Sequence, residues 1–474
     1  MVGRKKELEV LDECVAADRS RLVVLLGRRR VGKTFLVREA FGYKFTFSHT
    51  GLENGTLREQ LSAFWSSLRR QGGLDFRLPG NWMEAFESLK DLIEASKDAR
   101  KTVFIDELPW MDTRNSGFVK AVESFWNGWA SARKDVVMVV CGSAAAWMTK
   151  KILHNKGGLF NRASRTIRLE PFTLAECEEF VRSEGMVMDR KDIAAAYMVF
   201  GGAPYYWSLL DKRESLSQNV DRLFFRDGAE LADEFGKLFA SVFSAPGPYV
   251  AVVSALGRRM AGMTRAEIVS AVPATANDGT LTEILANLES SGFVRRYAEC
   301  GAAKKGSVYQ LIDNFVLFHF RFVDGYAGRD SSRWSHMARD SRRLAWEGLA
   351  FERVCLQHSR QIKAALGIAG VETEESSWRC TSKDPDLKGA QIDLVIRRAD
   401  RVVNLCEMKF CSERFAIDAE YAEKLREKAG AFKRETGTKD NCHITLVTTY
   451  GLRRNVHSSA IQSEVTLDDL FADA

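Results

Sequence analysis

The chain is short of proline, of paired cysteine and of long apolar runs, and each shortage narrows its class. Eight prolines in 474 residues, with no low-complexity tract, exclude a proline-rich fibrous or linker protein. Nine cysteines are scattered, odd in number and never spaced C-x-x-C, which excludes a zinc ribbon and argues for reduced thiols rather than a disulfide framework. Seven histidines show no H-x-x-x-H spacing, so the common helical metal motif is missing. No stretch of about 18 uncharged apolar residues occurs, and no membrane contact is expected. Met1–Glu7 lacks the apolar core of a secretory signal, and a cytoplasmic location is the expectation. A net charge of +6 over this length is mild and compatible with nucleic acid without demanding it.

What is present is sharper. Residues 27–34 read Gly27-Arg28-Arg29-Arg30-Val31-Gly32-Lys33-Thr34, a complete G-x-x-x-x-G-K-T loop between the apolar run Arg21–Leu26 and the helical pattern Phe35–Ala40. The glycines let backbone N–H groups close around phosphates, Lys33 reaches the β- and γ-phosphates, and Thr34 offers a hydroxyl to Mg²⁺. Farther on, Lys101–Glu107 is a buried-type strand ending in two carboxylates. Asp106 is placed to hold Mg²⁺ through water and Glu107 to orient and deprotonate the attacking water. Together these predict an ATPase using ATP and Mg²⁺.

At this length two to four domains are expected. Strands at 21–27, 44–48, 101–106, 135–142 and 165–169, separated by amphipathic stretches, predict an α/β core with a parallel sheet over 1–170. Helices then dominate 171–245 and read as a lid over the nucleotide. A break at Ser244-Ala245-Pro246-Gly247-Pro248 marks a boundary, and 246–312 shows three helices and two strands around a basic turn at Lys304-Lys305-Gly306, a winged-helix pattern. Its third helix, 280–291, carries Glu283 and Glu289 and no Lys or Arg, which is poor for phosphate contact. Groove reading and a protein-contact role both stay open for it. Phe315, Phe318, Phe320 and Phe322 in the connector 313–339 read as a buried helix rather than a base-stacking platform.

The last segment, 340–474, returns to mixed α/β patterning. Gln391–Ile396 and Val402–Lys409 alternate as half-buried strands, and pairing them would bring Asp393, Glu407 and Lys409 together. Two carboxylates could hold a Mg²⁺ that polarises a phosphodiester, with Lys409 orienting water or stabilising charge and Glu352 adding a third carboxylate. An exposed strand with cross-strand charge pairs is the plain alternative.

On these residues the chain resembles the archaeal-type ATPase family, related to AAA+ and STAND P-loop NTPases. Gly27–Thr34 and Ile105-Asp106-Glu107-Leu108-Pro109-Trp110 are similar to its Walker A and B segments. The resemblance implies that Val2, Gly3 and Arg4 lie against adenine, and that the whole loop Gly27–Thr34 binds nucleotide. It further implies that Ser143, in Val140-Cys141-Gly142-Ser143, sits near the γ-phosphate. Gly158–Arg162 resembles the stretch carrying a finger-like arginine, Arg162, with Asn161 standing where glycine is common and Arg165 as a substitute. A homo-oligomer would present that finger in trans. Gly201–Tyr206 is similar to the lid motif. Glu352, Gln391-Ile392-Asp393 and Glu407-Met408-Lys409 resemble the family's C-terminal PD-(D/E)xK restriction-endonuclease-like domain, which implies double-stranded DNA as a partner. The alternative function is a nucleotide-dependent switch whose last domain binds without cleaving.

Overall fold

The computed structural model describes residues 1–474 apart from 73–76, 155–158, 160–161, 244, 260, 276–277, 299–306, 327, 329, 381–389 and 474. Lys304-Lys305-Gly306, Ser244, Gly158 and Phe160-Asn161 fall outside the described residues.

The first layer is a five-stranded parallel sheet built from β1 (Arg21–Leu26), β2 (Phe47–Thr50), β3 (Lys101–Asp106), β4 (Val136–Gly142) and β5 (Arg165–Arg168), in the order β2-β3-β4-β1-β5. Helices cover both faces, so β1 and β4 are buried nearly end to end and need apolar residues at every position rather than alternation. One face packs on Phe64, Trp82, Phe86 and Phe125, the other on Leu11, Leu36 and Val37. The edge strand β2 is closed by a side chain: Gln71 accepts from the Ser48 N–H at 2.7 Å and donates to the Ser48 carbonyl at 2.8 Å. That arrangement hides an otherwise sticky edge. The phosphate loop follows β1 and the Asp106-Glu107 pair ends β3, both at the carboxyl edge of the sheet with β4 between them, where open α/β sheets bind ligands.

From Leu174 to Val242 the chain is helical, with Leu174–Ser183 and Leu216–Phe224 each opened by a capping box. The helix Pro246–Gly257 begins three residues before the sequence-based start, because Pro246 occupies its first turn, where a missing N–H costs nothing. Two further helices, Arg265–Ala271 and Asp278–Ser290, accompany an antiparallel sheet of β6 (Met263–Thr264), β7 (Val294–Ala298) and β8 (Ser307–Leu311). The aromatic connector is core: Phe315 and Phe318 are fully buried, and Phe318 sits 4.9 to 5.6 Å from the rings of Phe224, Phe322, Trp334 and Trp346.

The last layer is a second mixed sheet. It contains β9 (Thr373–Cys380), β10 (Ala390–Arg398), β11 (Val402–Lys409), β13 (Asn441–Thr448) and β15 (Ser463–Thr466) in the order β15-β13-β11-β10-β9, with β12 (Phe415–Ala416) and β14 (Leu452–Arg453) pairing beside it. The helix Ser341–Gln357 packs on one face and Ala419–Thr436 on the other.

One buried histidine joins this region to the helix Leu174–Ser183. His358, 1% exposed, accepts from the Leu174 N–H through Nε2 at 3.0 Å and donates through Nδ1 to the Val354 carbonyl at 2.8 Å. The accepting nitrogen cannot take a proton without losing its bond, and burial pushes the imidazole down to about 4. Between pH 4 and 6.5 the unfolded chain therefore binds the proton and the folded chain does not, so stability is lost as pH falls through that window. The shift corresponds to roughly 3 kcal/mol. Urea unfolding of His358→Gln, whose amide oxygen can accept the same N–H, will show a flatter stability profile between pH 6.5 and 4 than the unsubstituted chain. An unchanged slope would remove His358 from the acid response.

Candidate nucleotide site

The loop conformation depends on its two glycines. A Cβ on Gly27 would lie 2.6 Å from the Leu169 carbonyl oxygen, and Gly32 holds φ +87° in the left-handed region. Gly32 then caps the helix Lys33–Ala40 with no side-chain acceptor, leaving the first-turn N–H groups for an anion.

Lys33 is 6% exposed and folds back across the loop. Its Nζ donates to the carbonyls of Gly27 (2.9 Å) and Arg28 (3.0 Å) and to Ser143 Oγ (3.0 Å). All three partners are neutral oxygens, so this ammonium sits in a buried place without a carboxylate across from it in those bonds. Such a donor set fits a polyanion. Thr34 Oγ1 donates to Asp106 Oδ2 at 2.7 Å, while Asp106 Oδ1 accepts from the Glu107 N–H at 2.9 Å and from the Cys141 thiol. A hydroxyl beside a buried carboxylate is the oxygen chemistry that suits Mg²⁺. Burial, with the charge of Asp106 beside it, pushes the Cys141 thiol well above its ordinary value, so it stays a donor.

Glu107 turns out of the strand in a left-handed conformation, φ +46°. Its carboxylate accepts from Ser143 N–H at 3.0 Å and from Ser143 Oγ at 2.5 Å. Ser143 thus accepts from Lys33 and donates to Glu107. A cavity of about 760 Å³ opens over these groups and extends between Val2, Arg4, Phe172, Phe180, Pro204 and Tyr205. Polar groups at one end and aromatic or aliphatic walls at the other match a nucleoside triphosphate in size and chemistry.

Most expected nucleotide residues reach this cavity: Val2, Arg4, Arg29, Arg30, Val31, Gly32, Lys33, Thr34, Glu107 and Ser143 line it. Gly3 supports the N-terminal turn, its N–H bonding Glu179 Oε2 at 3.3 Å. Arg4 lies 4.7 Å over Phe172, and burial lowers its pKa. One expectation needs correction. The Arg28 side chain turns away from the nucleotide cavity, pairs with Asp313 and stacks 5.3 Å from Phe293, so only its backbone serves the loop. Arg162 is exposed and lies outside the cavity's lining, and its substitute Arg165 pairs with Glu13 at 3.5 Å. Phe180 escaped the sequence reading; the amphipathic repeat of Leu174–Ser183 was its only signal.

The C-terminal constellation comes together in part. β10 and β11 are antiparallel with Leu394 opposite Cys406, so the next position sets Asp393 beside Glu407. Glu407 is engaged by Lys428 at 2.7 Å, Lys409 at 3.2 Å and the Tyr421 hydroxyl at 3.2 Å. Burial opposes its ionisation, but Lys428 and Lys409 outweigh burial and hold the carboxyl below its usual range. Gln391 donates to Asp393 at 2.6 Å. Burial, reinforced by the charge of Asp393, pushes Glu352 up to about 8. Among the described residues no three His, Cys, Asp or Glu side chains gather as a metal cage. The expected ligand set Glu352, Asp393 and Glu407 is therefore not assembled, because lysines and a tyrosine hold Glu407.

Residues 1–210 match a family model described as an ATPase domain predominantly from Archaea. An uncharacterized protein of Methanocaldococcus jannaschii is 24% identical over 333 residues, covering 68% of this chain and 68% of that protein. Among solved structures, a Walker-type ATPase of Pyrococcus abyssi aligns at 17% identity over 68% of this chain and 96% of its own, with a TM-score of 0.46. An ORC2 protein of Aeropyrum pernix, solved as ADPNP-ADP complexes, aligns at 14% identity over 71% and 95%, with a TM-score of 0.39. Among the described residues no helix is long and apolar enough to cross a membrane.

Proposed function

We propose that this protein is an Mg²⁺-dependent ATPase whose nucleotide cycle acts on a C-terminal nuclease-like domain that engages double-stranded DNA. The observation that carries the first half is the convergence of Lys33, Thr34, Glu107 and Ser143 on one cavity with apolar walls, with Asp106 bonded to Thr34 just beneath it. When bound, Mg²⁺ would supply positive charge against the charge that develops during hydrolysis. The chain's own groups do the rest. Thr34 and Asp106 would hold the ion's side of the site, Lys33 and the Gly32–Thr34 N–H groups the phosphates, and Glu107 would take the proton of the attacking water. Ser143 keeps Glu107 and Lys33 in register. ATP hydrolysis by the purified full-length chain, abolished by EDTA and restored by Mg²⁺, is the direct test.

A second reading, a switch with slow turnover, is favoured by two ion pairs running from the phosphate loop to distant segments, Arg28 to Asp313 and Arg30 to Glu234. Steady turnover, raised by DNA, supports a motor or loader. A burst of about one ATP per chain followed by slow release supports the switch.

Residues 246–312 read as a winged-helix module. Its helix Asp278–Ser290 packs against Ala145–Met148 of the core, and Glu283 lies 3.8 Å from Lys150, which favours an internal contact over groove reading. DNA is assigned instead to 340–474, where Asp393, Glu407 and Lys409 share a strand pair. Incubation of the full-length chain with duplex DNA and Mg²⁺ or Mn²⁺, with and without ATP, beside Asp393→Ala and Lys409→Ala, tests whether the ion gathers the ligand set that Lys428, Lys409 and Tyr421 keep apart: cleavage that each substitution reduces at least about 100-fold would show that it does. DNA binding without cleavage in all three proteins would leave the non-cleaving interaction domain as the better account.

A further inference from the structure

Arg30 is tied to the helical segment beyond residue 200 through both its guanidinium and its backbone carbonyl. Its Nε and Nη2 bond the two carboxylate oxygens of Glu234 at 2.8 and 3.0 Å, its guanidinium lies 3.8 Å from the Tyr205 ring, and its carbonyl accepts the Tyr205 N–H at 3.4 Å. The same residue holds φ +73° and lines the nucleotide cavity. Its neighbour Arg28 is different in kind. The Arg28–Asp313 pair is 10% and 2% exposed and borders a separate cavity behind the loop, and Asp313 also caps the helix Asn314–Phe318. Arg28 is a fixed anchor. Arg30, 23% exposed on the nucleotide side, holds a Glu234 that is only 3% exposed.

We propose that Arg30 is the nucleotide-responsive contact between phosphate loop and lid: an arriving triphosphate draws its guanidinium off Glu234 and frees the helix Glu234–Val242. The exchange is chemically matched, because a guanidinium fork binds carboxylate and phosphate in the same bidentate way and the triphosphate carries more charge. Glu234 is not left bare when Arg30 departs. It occupies the first turn of its helix, where the dipole favours an anion, and it keeps the Tyr206 hydroxyl at 3.3 Å. Glu234 thus competes with nucleotide for one cation, and by linkage whatever weakens Glu234 must strengthen nucleotide binding.

This rests on the cavity being the ATP site, so the test separates the two ideas. The full-length chain, Glu234→Gln, Arg30→Gln and Lys33→Ala are compared by calorimetric titration with the non-hydrolysable analogue AMPPNP in Mg²⁺, and by hydrogen exchange at residues 234–242. The unsubstituted chain is expected to bind AMPPNP and to exchange faster there once loaded. Glu234→Gln is expected to exchange fast without nucleotide and to bind AMPPNP roughly five- to tenfold tighter. Arg30→Gln is expected to exchange equally fast but to bind more weakly, since the phosphates lose a partner. Opposite signs at the two ends of one ion pair are what a mere strut cannot produce. Affinity shifts of the same sign, or unchanged exchange on loading, overturn the proposal. Absence of AMPPNP binding by the unsubstituted chain overturns the site assignment beneath it, and Lys33→Ala gives the baseline for that outcome.

Discussion

Lys33→Ala will weaken MgATP binding by at least about 100-fold while leaving the nucleotide-free protein close to its original stability. The two halves of this result come from the same geometry. The ammonium is buried and bonded to three neutral oxygens, of Gly27, Arg28 and Ser143. Burying a cation among neutral acceptors carries a desolvation penalty that those bonds offset only in part, so removing it costs the empty protein little. With triphosphate present the lysine meets formal negative charge in a place of low dielectric. Charge-assisted bonds of that kind contribute about 1.5–3 kcal/mol each, and two of them correspond to roughly 10²–10⁴ in affinity. Titration calorimetry and urea unfolding of the same preparation measure both halves. Binding within threefold of the unsubstituted chain would move the phosphates off this loop. A large loss of stability without nucleotide would instead make Lys33 a structural residue.

The phosphate-loop end of the candidate site was legible in the sequence because its pattern is local. Gly27, Gly32, Lys33 and Thr34 lie within eight residues, and the strand Lys101–Asp106 announces itself by the apolar run Val103-Phe104-Ile105 before its carboxylate. At the apolar end of the cavity only Val2, Arg4 and Tyr205 were named, through resemblance, while Phe172 and Phe180 come from segments far from the loop and look like ordinary core aromatics. Arg28 was misjudged for the same reason: an arginine in a phosphate loop suggests phosphate, yet its carboxylate partner Asp313 is 285 residues away, and the Glu234 partner of the cavity-lining Arg30, 204 residues away, was equally invisible. In the last sheet, β10 and β11 were readable from alternation and their pairing put Asp393 beside Glu407. The neighbour β9 was not, because Thr-Glu-Glu-Ser-Ser interrupts the apolar pattern on an edge strand that water can reach. Nothing near Glu407 in sequence signals Lys428 or Tyr421, which arrive on the helix Ala419–Thr436 and turn an expected ligand cage into an ion-pair cluster.

Glu107→Gln will leave nucleotide affinity within a few-fold and lower the hydrolysis rate by about 10²–10⁴, the range over which a positioned general base acts. The carboxylate is held at the cavity wall by Ser143, through its N–H at 3.0 Å and its hydroxyl at 2.5 Å. Glutamine keeps the shape and can still accept the Ser143 N–H, so the loop and the Lys33–Ser143 bond persist and ATP stays bound. It has no basic oxygen able to take a proton from water. The Ser143 hydroxyl is committed to accepting from Lys33 and donating to Glu107, so Ser143→Ala serves as the contrasting variant. It frees both side chains at once and should affect binding and turnover together, whereas Glu107→Gln should affect turnover alone. Single-turnover hydrolysis with pre-bound ATP separates the two, since it reads the chemical step without product release. Retained turnover in Glu107→Gln would remove that residue from the mechanism. Loss of binding in Glu107→Gln would mean that its grip on Ser143, rather than its basicity, is what the site requires.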